Sequence, residues 1–338
     1  MFIALKPISE QVIVITGASS GIGLATARMA VSHGARVVLA SRNEEVLAAV
    51  AENINATGGT AIYVVADVGD RAQVQRIADA ATEHFGGFDT WVNNAGLGIV
   101  GRIEDGKEED FRRLFDTNFW GVVHGSLVAL PTLKQRGGAL INLGSVASDV
   151  AFPYQGMYST TKHAIKGFTD ALRIELSYEK APVSVTLIKP AAINTDFAHH
   201  AHNDADREPM LPPPLYAPKE VAFGILHAAA HPKRDIYIGG AGRMFSFLNR
   251  VAPALMDQLS KTLIPQSFRD EPPRQPEGAL HETGRDGQVD SDHPGMVRQT
   301  SFYTRLSVLP GFGIAVAALL GLGLAALFKH EPKRKTWF

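Results

Sequence analysis

Short runs of β-branched and aliphatic residues recur along the first two thirds of the chain. They cover residues 11–16, 35–40, 60–67, 90–96, 138–145 and 183–190, with a seventh at 235–240. Most are apolar throughout, which is typical of strands buried on both faces of a parallel sheet. Stretches with the apolar spacing of helices separate them. The pattern predicts an α/β fold with a doubly wound parallel sheet of about seven strands, although another open α/β fold would share it.

The pattern changes after residue 240. Residues 244–263 have the spacing of an amphipathic helix interrupted at Pro253, and five prolines lie among charged and small residues between 265 and 300. Residues 306–328 contain no charge. The chain is therefore predicted to divide into four parts: a catalytic domain at residues 8–240, a helical C-terminal extension at 241–264, a Pro-rich linker at 265–305 and an apolar helix at 306–328.

The apolar run predicts membrane contact. As one helix, residues 306–328 would span about 35 Å against a hydrocarbon core of about 30 Å. Small residues recur at every fourth position from Gly313 to Ala325, which suits close helix contact in lipid. We expect the catalytic domain at the cytoplasmic face of a membrane. The alternatives are a peripheral or re-entrant segment, and a terminal helix buried in a subunit interface of a purely cytoplasmic protein.

Charge and composition exclude several functions. The 338 residues include 33 Lys and Arg against 34 Asp and Glu, so no global positive field favours nucleic acid. The chain has no cysteine, which excludes disulfides and thiolate metal sites. His199, His200 and His202 are close together, but no carboxylate accompanies them at metal-ligand spacing. We expect solvated histidines and no metal.

Glycines follow the first predicted strand in the motif TGASSGIG, which places Gly17, Gly21 and Gly23 directly before a predicted helix. Glycine lets the backbone turn tightly and approach a pyrophosphate, whose charge the helix N-terminus stabilises. A second motif, NNAG, occupies residues 93–96 after the fourth strand.

These motifs resemble the cofactor signatures of the short-chain dehydrogenase/reductase family, over roughly residues 8–240. The resemblance implies a Rossmann-like fold and a nicotinamide dinucleotide cofactor. The residues that would contact it are Gly17, Ser19, Ser20, Gly21, Ile22, Gly23, Ser41, Arg42, Asp67, Val68, Asn94, Ala95, Gly96, Lys162, Pro190 and Thr195. One position departs from the family pattern: Ala191 follows Pro190 where glycine is usual, and alanine requires a negative φ there.

The end of the second strand indicates which dinucleotide is bound. Ser41 supplies no carboxylate for a ribose 2′-hydroxyl, and Arg42 can pair with a 2′-phosphate. By resemblance to the family this implies NADP(H), while the alternative is a solvated surface arginine. Asp67 resembles the aspartate that contacts adenine, with a helix N-cap as the alternative.

Four further residues match the family's catalytic tetrad: Asn118, Ser145, Tyr158 and Lys162. Tyr158 and Lys162 are four residues apart in a predicted helix, so they share one face. A lysine cation near a phenol favours the phenolate and lowers its pKa from about 10. Ser145 can hydrogen-bond the substrate oxygen, and the resemblance implies a water-mediated relay through Asn118.

Together these features predict an NADP(H)-dependent oxidoreductase that interconverts a hydroxyl and a carbonyl on a hydrophobic small molecule. The alternative is a non-catalytic NADP(H)-binding scaffold or sensor at the membrane, which would not need the tetrad. By resemblance, we expect a homodimer or homotetramer that pairs through the helices containing Asn118 and Tyr158.

Overall fold

The structure is a computed structural model that describes residues 3–284, 286–293, 295–309 and 311. The strands of the described residues are β1 (Val12–Thr16), β2 (Arg36–Ser41), β3 (Thr60–Val65), β4 (Thr90–Asn93), β5 (Ile99–Val100), β6 (Gly138–Leu143), β7 (Val183–Pro190), β8 (His202–Asn203), β9 (Leu215–Tyr216), β10 (Asp235–Ile238) and β11 (Val297–Arg298).

The α-helices of the same residues are α1 (Gly21–Ser32), α2 (Glu44–Ala56), α3 (Arg71–Phe85), α4 (Glu108–Phe115), α5 (Gly121–Arg136), α6 (Gly156–Tyr178), α7 (Phe197–His200), α8 (Pro218–Ala230), α9 (Gly240–Val251), α10 (Pro253–Leu263) and α11 (Phe302–Ser307). A π-helical turn, Asp116–Trp120, joins α4 to α5.

Seven strands form one parallel sheet in the order β10-β7-β6-β4-β1-β2-β3. The chain builds outward from β1 to β3 and then returns to β4, on the other side of β1. Loops after β1 and β4 therefore leave in opposite directions, and a crevice opens between them at the carboxyl edge of the sheet. Each of the seven sheet strands falls within a predicted apolar run or extends it by one residue, and the predicted fold is confirmed.

Apolar layers cover both faces of the sheet. One joins alternate strand residues such as Ile13 and Leu39 to α1, α2 and α8. The other joins their neighbours, such as Val14 and Val38, to α3, α5 and α6. Burial on both faces explains why the strands are apolar throughout rather than alternating.

The helical extension bends where the sequence predicts. Helix α9 ends at Val251, and α10 begins at Pro253, which needs no backbone N–H at the start of a helix. Phe245, Leu248 and Met256 pack inward against Val146 and Val150 beside the carboxyl end of the sheet. The two helices therefore form a wall next to the crevice.

Residues 265–305 differ from the expected linker. They are mostly irregular, yet β11 pairs with β9, and Thr304 of α11 donates to the Tyr237 carbonyl at 3.0 Å. Arg305 pairs with the fully buried Glu220 at 2.8 Å. Proline and charge predicted this segment's irregularity correctly, but not its attachment to the sheet. The division into four parts otherwise stays a prediction.

Among the described helices, none is long and apolar enough to cross a bilayer. Of the predicted membrane helix, residues 306–309 and 311 are described, and 306–307 are the end of α11. Residue 310 and residues 312–338 lie outside the described residues.

Candidate active site

The glycine-rich loop fills the space between β1, α1 and the loop after β4. Gly17 and Gly21 have φ values of +63° and +52°, which favour glycine. A Cβ at position 23 would lie 2.0 Å from the Gly17 carbonyl oxygen, so α1 approaches β1 this closely only because residue 23 has no side chain.

Asn94 of the NNAG motif braces this loop. Its Nδ2 donates to the carbonyl oxygens of Thr16 (2.9 Å) and Gly17 (3.1 Å). The Thr16 hydroxyl oxygen accepts from the backbone N–H groups of Asn94 and Ala95. The sequence predicted Asn94 as a cofactor contact, whereas its amide donors hold the loop in place.

Two adjoining cavities occupy the crevice. The larger is lined by these predicted residues: Gly17, Ser20, Gly21, Ile22, Asn94, Ala95, Gly96, Ser145, Tyr158, Lys162, Pro190 and Thr195. The smaller adds Ser19, Ser41, Arg42, Asp67 and Val68, and shares Gly17, Ser20, Ala95 and Gly96 with the first. The structure therefore brings the predicted set into one groove, with Gly23 and Asn118 behind its wall.

Tyr158 and Ser145 meet in the larger cavity. Burial has the greatest effect on Tyr158 and raises its pKa to about 12, although the nearby Ser145 hydroxyl opposes part of this rise. Lys162 Nζ lies 5.6 Å from the centre of the Tyr158 ring. The expected lowering of the Tyr158 pKa is therefore wrong for the free protein, in which burial is the dominant effect.

Lys162 lies at the base of the cavity, where its Nζ donates to the Leu143 carbonyl oxygen at 2.9 Å. Burial lowers the pKa of Lys162 to about 8. A buried ammonium with a neutral partner loses its proton more readily than one in water. The charge state of this lysine therefore changes near neutral pH.

Asn118 is fully buried in the π-helical turn before α5. Its Oδ1 accepts from the Leu97 N–H at 2.7 Å, and its Nδ2 donates to the Leu97 carbonyl and to Thr161 Oγ1. The side chain thus joins the segment after NNAG to α6, which carries Tyr158 and Lys162. The relay through Asn118 stays a prediction.

Asp67 and Arg42 lie on the smaller cavity. Asp67 accepts from the Gly69 N–H and from Arg113 Nη2 at 2.6 Å. Burial would raise the pKa of Asp67, but these hydrogen bonds outweigh it and hold the pKa below its ordinary value. The N-cap of α3 is Asp70, so the N-cap alternative for Asp67 is wrong.

Arg42 is half-buried, and its guanidinium donates to carbonyl oxygens of residues 279, 280 and 282. The alternative of a solvated surface arginine is therefore wrong. Arg113, which also reaches the Leu280 carbonyl, was missed from the sequence because it lies in a charged run with no motif. Burial and the charge of Arg113 lower the pKa of Arg42.

Ala191 is accommodated without strain. Among the described residues, only Tyr154 and Lys180 are non-glycine residues with positive φ, so Ala191 meets the stated condition. Gly239 and Gly242 make room for its side chain, since a Cβ at either would lie 3.2 Å from that of Ala191. Thr195 packs against Gly21, and its contact with the cofactor stays a prediction.

The histidines after Thr195 are paired rather than solvated. His199 Nδ1 lies 3.2 Å from Glu208, and its ring stacks on His293 at 5.1 Å. His202 is buried with its Nε2 3.1 Å from Asp204. No cluster of three or more potential ligands is arranged for a metal in the described part of the chain.

The far end of the larger cavity is apolar. Its lining residues come from the segment after Thr195, from α9 and from the end of α10, and include Phe197, Met210, Leu211, Phe245, Leu263 and Phe268. The sequence did not identify α9 and α10 as part of the site. Their amphipathic spacing shows a buried face but not what that face adjoins.

Comparison with known proteins gives the class. The model of the short chain dehydrogenase family matches residues 11–206. The uncharacterized oxidoreductase YxnA of Bacillus subtilis is 45% identical over 327 residues, 95% of this chain and 92% of that protein. The putative oxidoreductase SadH of Mycobacterium tuberculosis is 32% identical over 76% of this chain and 96% of its own length. The chain belongs to the short-chain dehydrogenase family and is an oxidoreductase of the class that acts on a hydroxyl or carbonyl group.

Two solved structures share the fold. A short-chain dehydrogenase/reductase from Burkholderia phymatum, in complex with NAD, has a TM-score of 0.63 at 28% identity, covering 80% of this chain and 99% of that one. An alcohol dehydrogenase from Thermococcus sibiricus, complexed with 5-hydroxy-NADP, has a TM-score of 0.60 at 28% identity, covering 68% and 95%.

The lysine predicts a pH dependence. In the mechanism that the family resemblance implies, reduction of a carbonyl needs a protonated Tyr158, whose pKa is about 12, and a cationic Lys162, whose charge is lost as pH rises through about 8. We therefore expect reductive kcat/KM to fall above about pH 8.

Initial rates between pH 6 and 10, with folding followed by circular dichroism, measure this fall. Lys162→Arg keeps a cation at every pH used and should remove the step near pH 8 while lowering the maximum rate. A wild-type kcat/KM that stays constant to pH 10 would show that loss of the Lys162 charge does not limit the reaction.

Proposed function

We propose that the chain is an NADP(H)-dependent oxidoreductase that interconverts a hydroxyl and a carbonyl on a hydrophobic small molecule, with Tyr158 as the acid/base. The observation that carries this proposal is that Ser145, Tyr158 and Lys162 line one cavity together with the glycine-rich loop and with apolar side chains of α9 and α10.

The residues of the groove fit a dinucleotide. Gly23 keeps α1 against β1, and at positions 17 and 21 positive φ values shape the turn where a pyrophosphate would lie. The end of β2 has no carboxylate, and Arg42 lines the smaller cavity. The solved relatives hold NAD and 5-hydroxy-NADP, which supports a nicotinamide dinucleotide here.

Tyr158, Ser145 and Lys162 have different roles at the substrate. Tyr158 donates its hydroxyl proton to the carbonyl oxygen during reduction, and Ser145 donates a hydrogen bond to the same oxygen. Lys162 in its charged form stabilises the phenolate left on Tyr158. The dinucleotide, when bound, supplies the hydride, and in the oxidative direction Tyr158 takes the proton back.

Exposed side chains on α5 and α6 support a homo-oligomer. Trp120, which ends the π-helical turn directly before α5, and Leu127, in the middle of α5, are 48% and 40% exposed, and Ile174 of α6 is 69% exposed. These are large apolar groups on the two helices that the family resemblance assigns to subunit pairing, and burial against a second copy would remove them from water.

Membrane contact is the second part of the proposal. Met244, Phe247, Val251 and Leu255 are each more than half exposed on α9 and α10, the helices whose inner faces adjoin the cavity. Phe302 and Leu309, next to the apolar C-terminal run, are also exposed. A lipid surface that covers these groups would place the catalytic domain beside the source of a hydrophobic substrate.

Tyr158→Phe should abolish turnover while leaving cofactor affinity nearly unchanged. The substitution removes the proton donor and keeps the ring, which packs at 5.4 Å from Phe197. Absorbance of NADPH with a panel of hydrophobic ketones and aldehydes measures turnover, and fluorescence titration measures affinity.

Tyr178→Phe is the matched control, because Tyr178 lies on the same helix and is 90% exposed. Its activity should equal that of the wild type. A Tyr158→Phe enzyme with near-normal rates would exclude Tyr158 as the acid/base.

NADPH should bind more tightly than NADH, and Arg42→Asp should reverse the preference. A charged hydrogen bond to the 2′-phosphate contributes about 1.5–3 kcal/mol, or roughly tenfold or more in Kd. Arg71→Asp, at the exposed start of α3, is the control. Equal wild-type affinity for both cofactors would refute the phosphate role of Arg42.

The full-length chain should sediment with lipid vesicles. After removal of residues 312–338, the protein should stay in the supernatant and retain its activity on a water-soluble carbonyl. A longer truncation, from residue 301, removes Thr304, Arg305 and the buried Val308 and should lower stability, since Glu220 would stay buried without its partner. Sedimentation and thermal unfolding separate the two effects. A full-length chain that remains in the supernatant would contradict the membrane proposal.

A further inference from the structure

A C-terminal segment crosses the groove. We name it the strap and define it as residues 275–284 and 286–291. The Gly287 N–H donates to the Ser19 carbonyl oxygen at 2.9 Å, and the Gly21 N–H donates to the Gln288 carbonyl oxygen at 2.8 Å. Two reciprocal backbone bonds thus attach the strap to the glycine-rich loop itself.

Other contacts fix the strap on both rims of the groove. On one rim Leu280 is fully buried against Leu97, Ile99 and Leu114, and His281 Nε2 lies 2.7 Å from Asp110. On the other rim the Ala279 N–H donates to the His200 carbonyl at 2.8 Å, and Ser291 Oγ donates to Asp196 at 2.5 Å.

Between the rims the strap completes the smaller cavity. Ala279, Thr283, Gly284 and Asp286 line it opposite Ser41 and Asp67. The residues after β2 and the NNAG motif make the other walls. The end of the groove with Arg42 and Asp67, the residues predicted to contact the 2′-phosphate and the adenine, is the adenosine end. It is thus enclosed by residues more than 230 positions away from Arg42 in the chain.

The strap also holds Arg42. Arg42 Nη2 donates to the carbonyls of Ala279 (2.6 Å) and Glu282 (2.9 Å), and Nη1 to that of Leu280 (3.3 Å). A guanidinium has five N–H donors, so two remain for a ligand in the cavity that Arg42 lines. The carbonyls are neutral. Burial and Arg113 lower the pKa of Arg42, whereas the Asp67 and Asp286 carboxylates, which line the same cavity, raise it.

We propose that the strap is the retaining wall of the dinucleotide site: it positions Arg42 through backbone carbonyls, encloses the adenosine end, and detaches for the cofactor to enter and leave. This inference rests on the proposed function. It assigns to the strap, rather than to the substrate end, the control of cofactor exchange.

The absence of cysteine from the chain allows a direct test. Leu280→Cys places a single thiol behind the strap, in the apolar cluster rather than on the cavity, so bound cofactor does not cover it directly. Leu133→Cys, equally buried in α5, reports opening of the main core. The rate of reaction with a thiol reagent is measured for each variant with and without NADP⁺.

We expect Leu280→Cys to react faster than Leu133→Cys without cofactor, since the strap opens locally. At a cofactor concentration 100 times its Kd the reaction should slow by up to about 100-fold, because the strap opens readily in the cofactor-free fraction and otherwise only when cofactor leaves. An unchanged rate with cofactor bound would show that the strap moves independently. A faster rate would show that cofactor displaces the strap. Either result overturns the proposal.

A second variant tests release without a buried substitution. Gly278 has φ +57°, and a Cβ there would lie 2.5 Å from the His200 carbonyl oxygen, so Gly278→Ala pushes the strap away from the rim. NADPH should leave this variant roughly tenfold faster in a stopped-flow chase. Gly295→Ala is the control, with φ +111° but nothing within 4 Å of the new methyl group.

Equal rates of NADPH release from the wild type and from Gly278→Ala would also overturn the proposal. Fluorescence titration separates this failure from that of the proposed function. If the chain binds no NADP(H), the proposed function is refuted. If it binds NADP(H) but neither the thiol reaction rate nor the NADPH release rate changes, only the strap proposal is refuted.

Discussion

The contact between α1 and β1 is the constraint on which the rest of the site depends. Because residue 23 has no side chain, the helix N-terminus lies against the Gly17 carbonyl, and Asn94 holds the Thr16 and Gly17 carbonyls to the loop after β4. Parallel strands collect their carboxyl ends at one edge, and the divergence of the chain on either side of β1 opens the crevice there. This contact fixes the shape of the groove, and the groove in turn sets where Tyr158, Lys162 and Arg42 lie relative to one another.

Burial sets the chemistry of the tetrad. The same apolar surroundings that raise the pKa of Tyr158 lower that of Lys162, because each change disfavours a charge in a poorly solvated site. The tyrosine therefore retains its proton to high pH, and the lysine carries its charge only within a limited pH range. The Ser145 hydroxyl opposes part of the burial effect on Tyr158.

The sheet and the groove could be predicted because their residues carry their own signals. Strands buried on both faces need apolar runs, and a helix that approaches a strand closely needs glycine, so both appear in the sequence. The strap could not be predicted. Its single proline and its charges resemble those of a linker, and Arg42 is held by carbonyl oxygens, which every residue has. Arg113 was missed, and the histidines were wrongly expected to be solvated, for a related reason: a run of polar residues does not show which of its members is buried.

The strap also has a consequence for the order in which the molecule forms. Its contacts with Arg42 join residues separated by 237 to 240 positions. Such distant contacts repay the entropy of loop closure only after the intervening sheet exists. The ends of β1, β2, β3 and β4, which line most of the smaller cavity, become ordered through much closer neighbours. Folding therefore produces an open nucleotide groove first and encloses it last, and the reverse path reopens the groove before the sheet is disturbed.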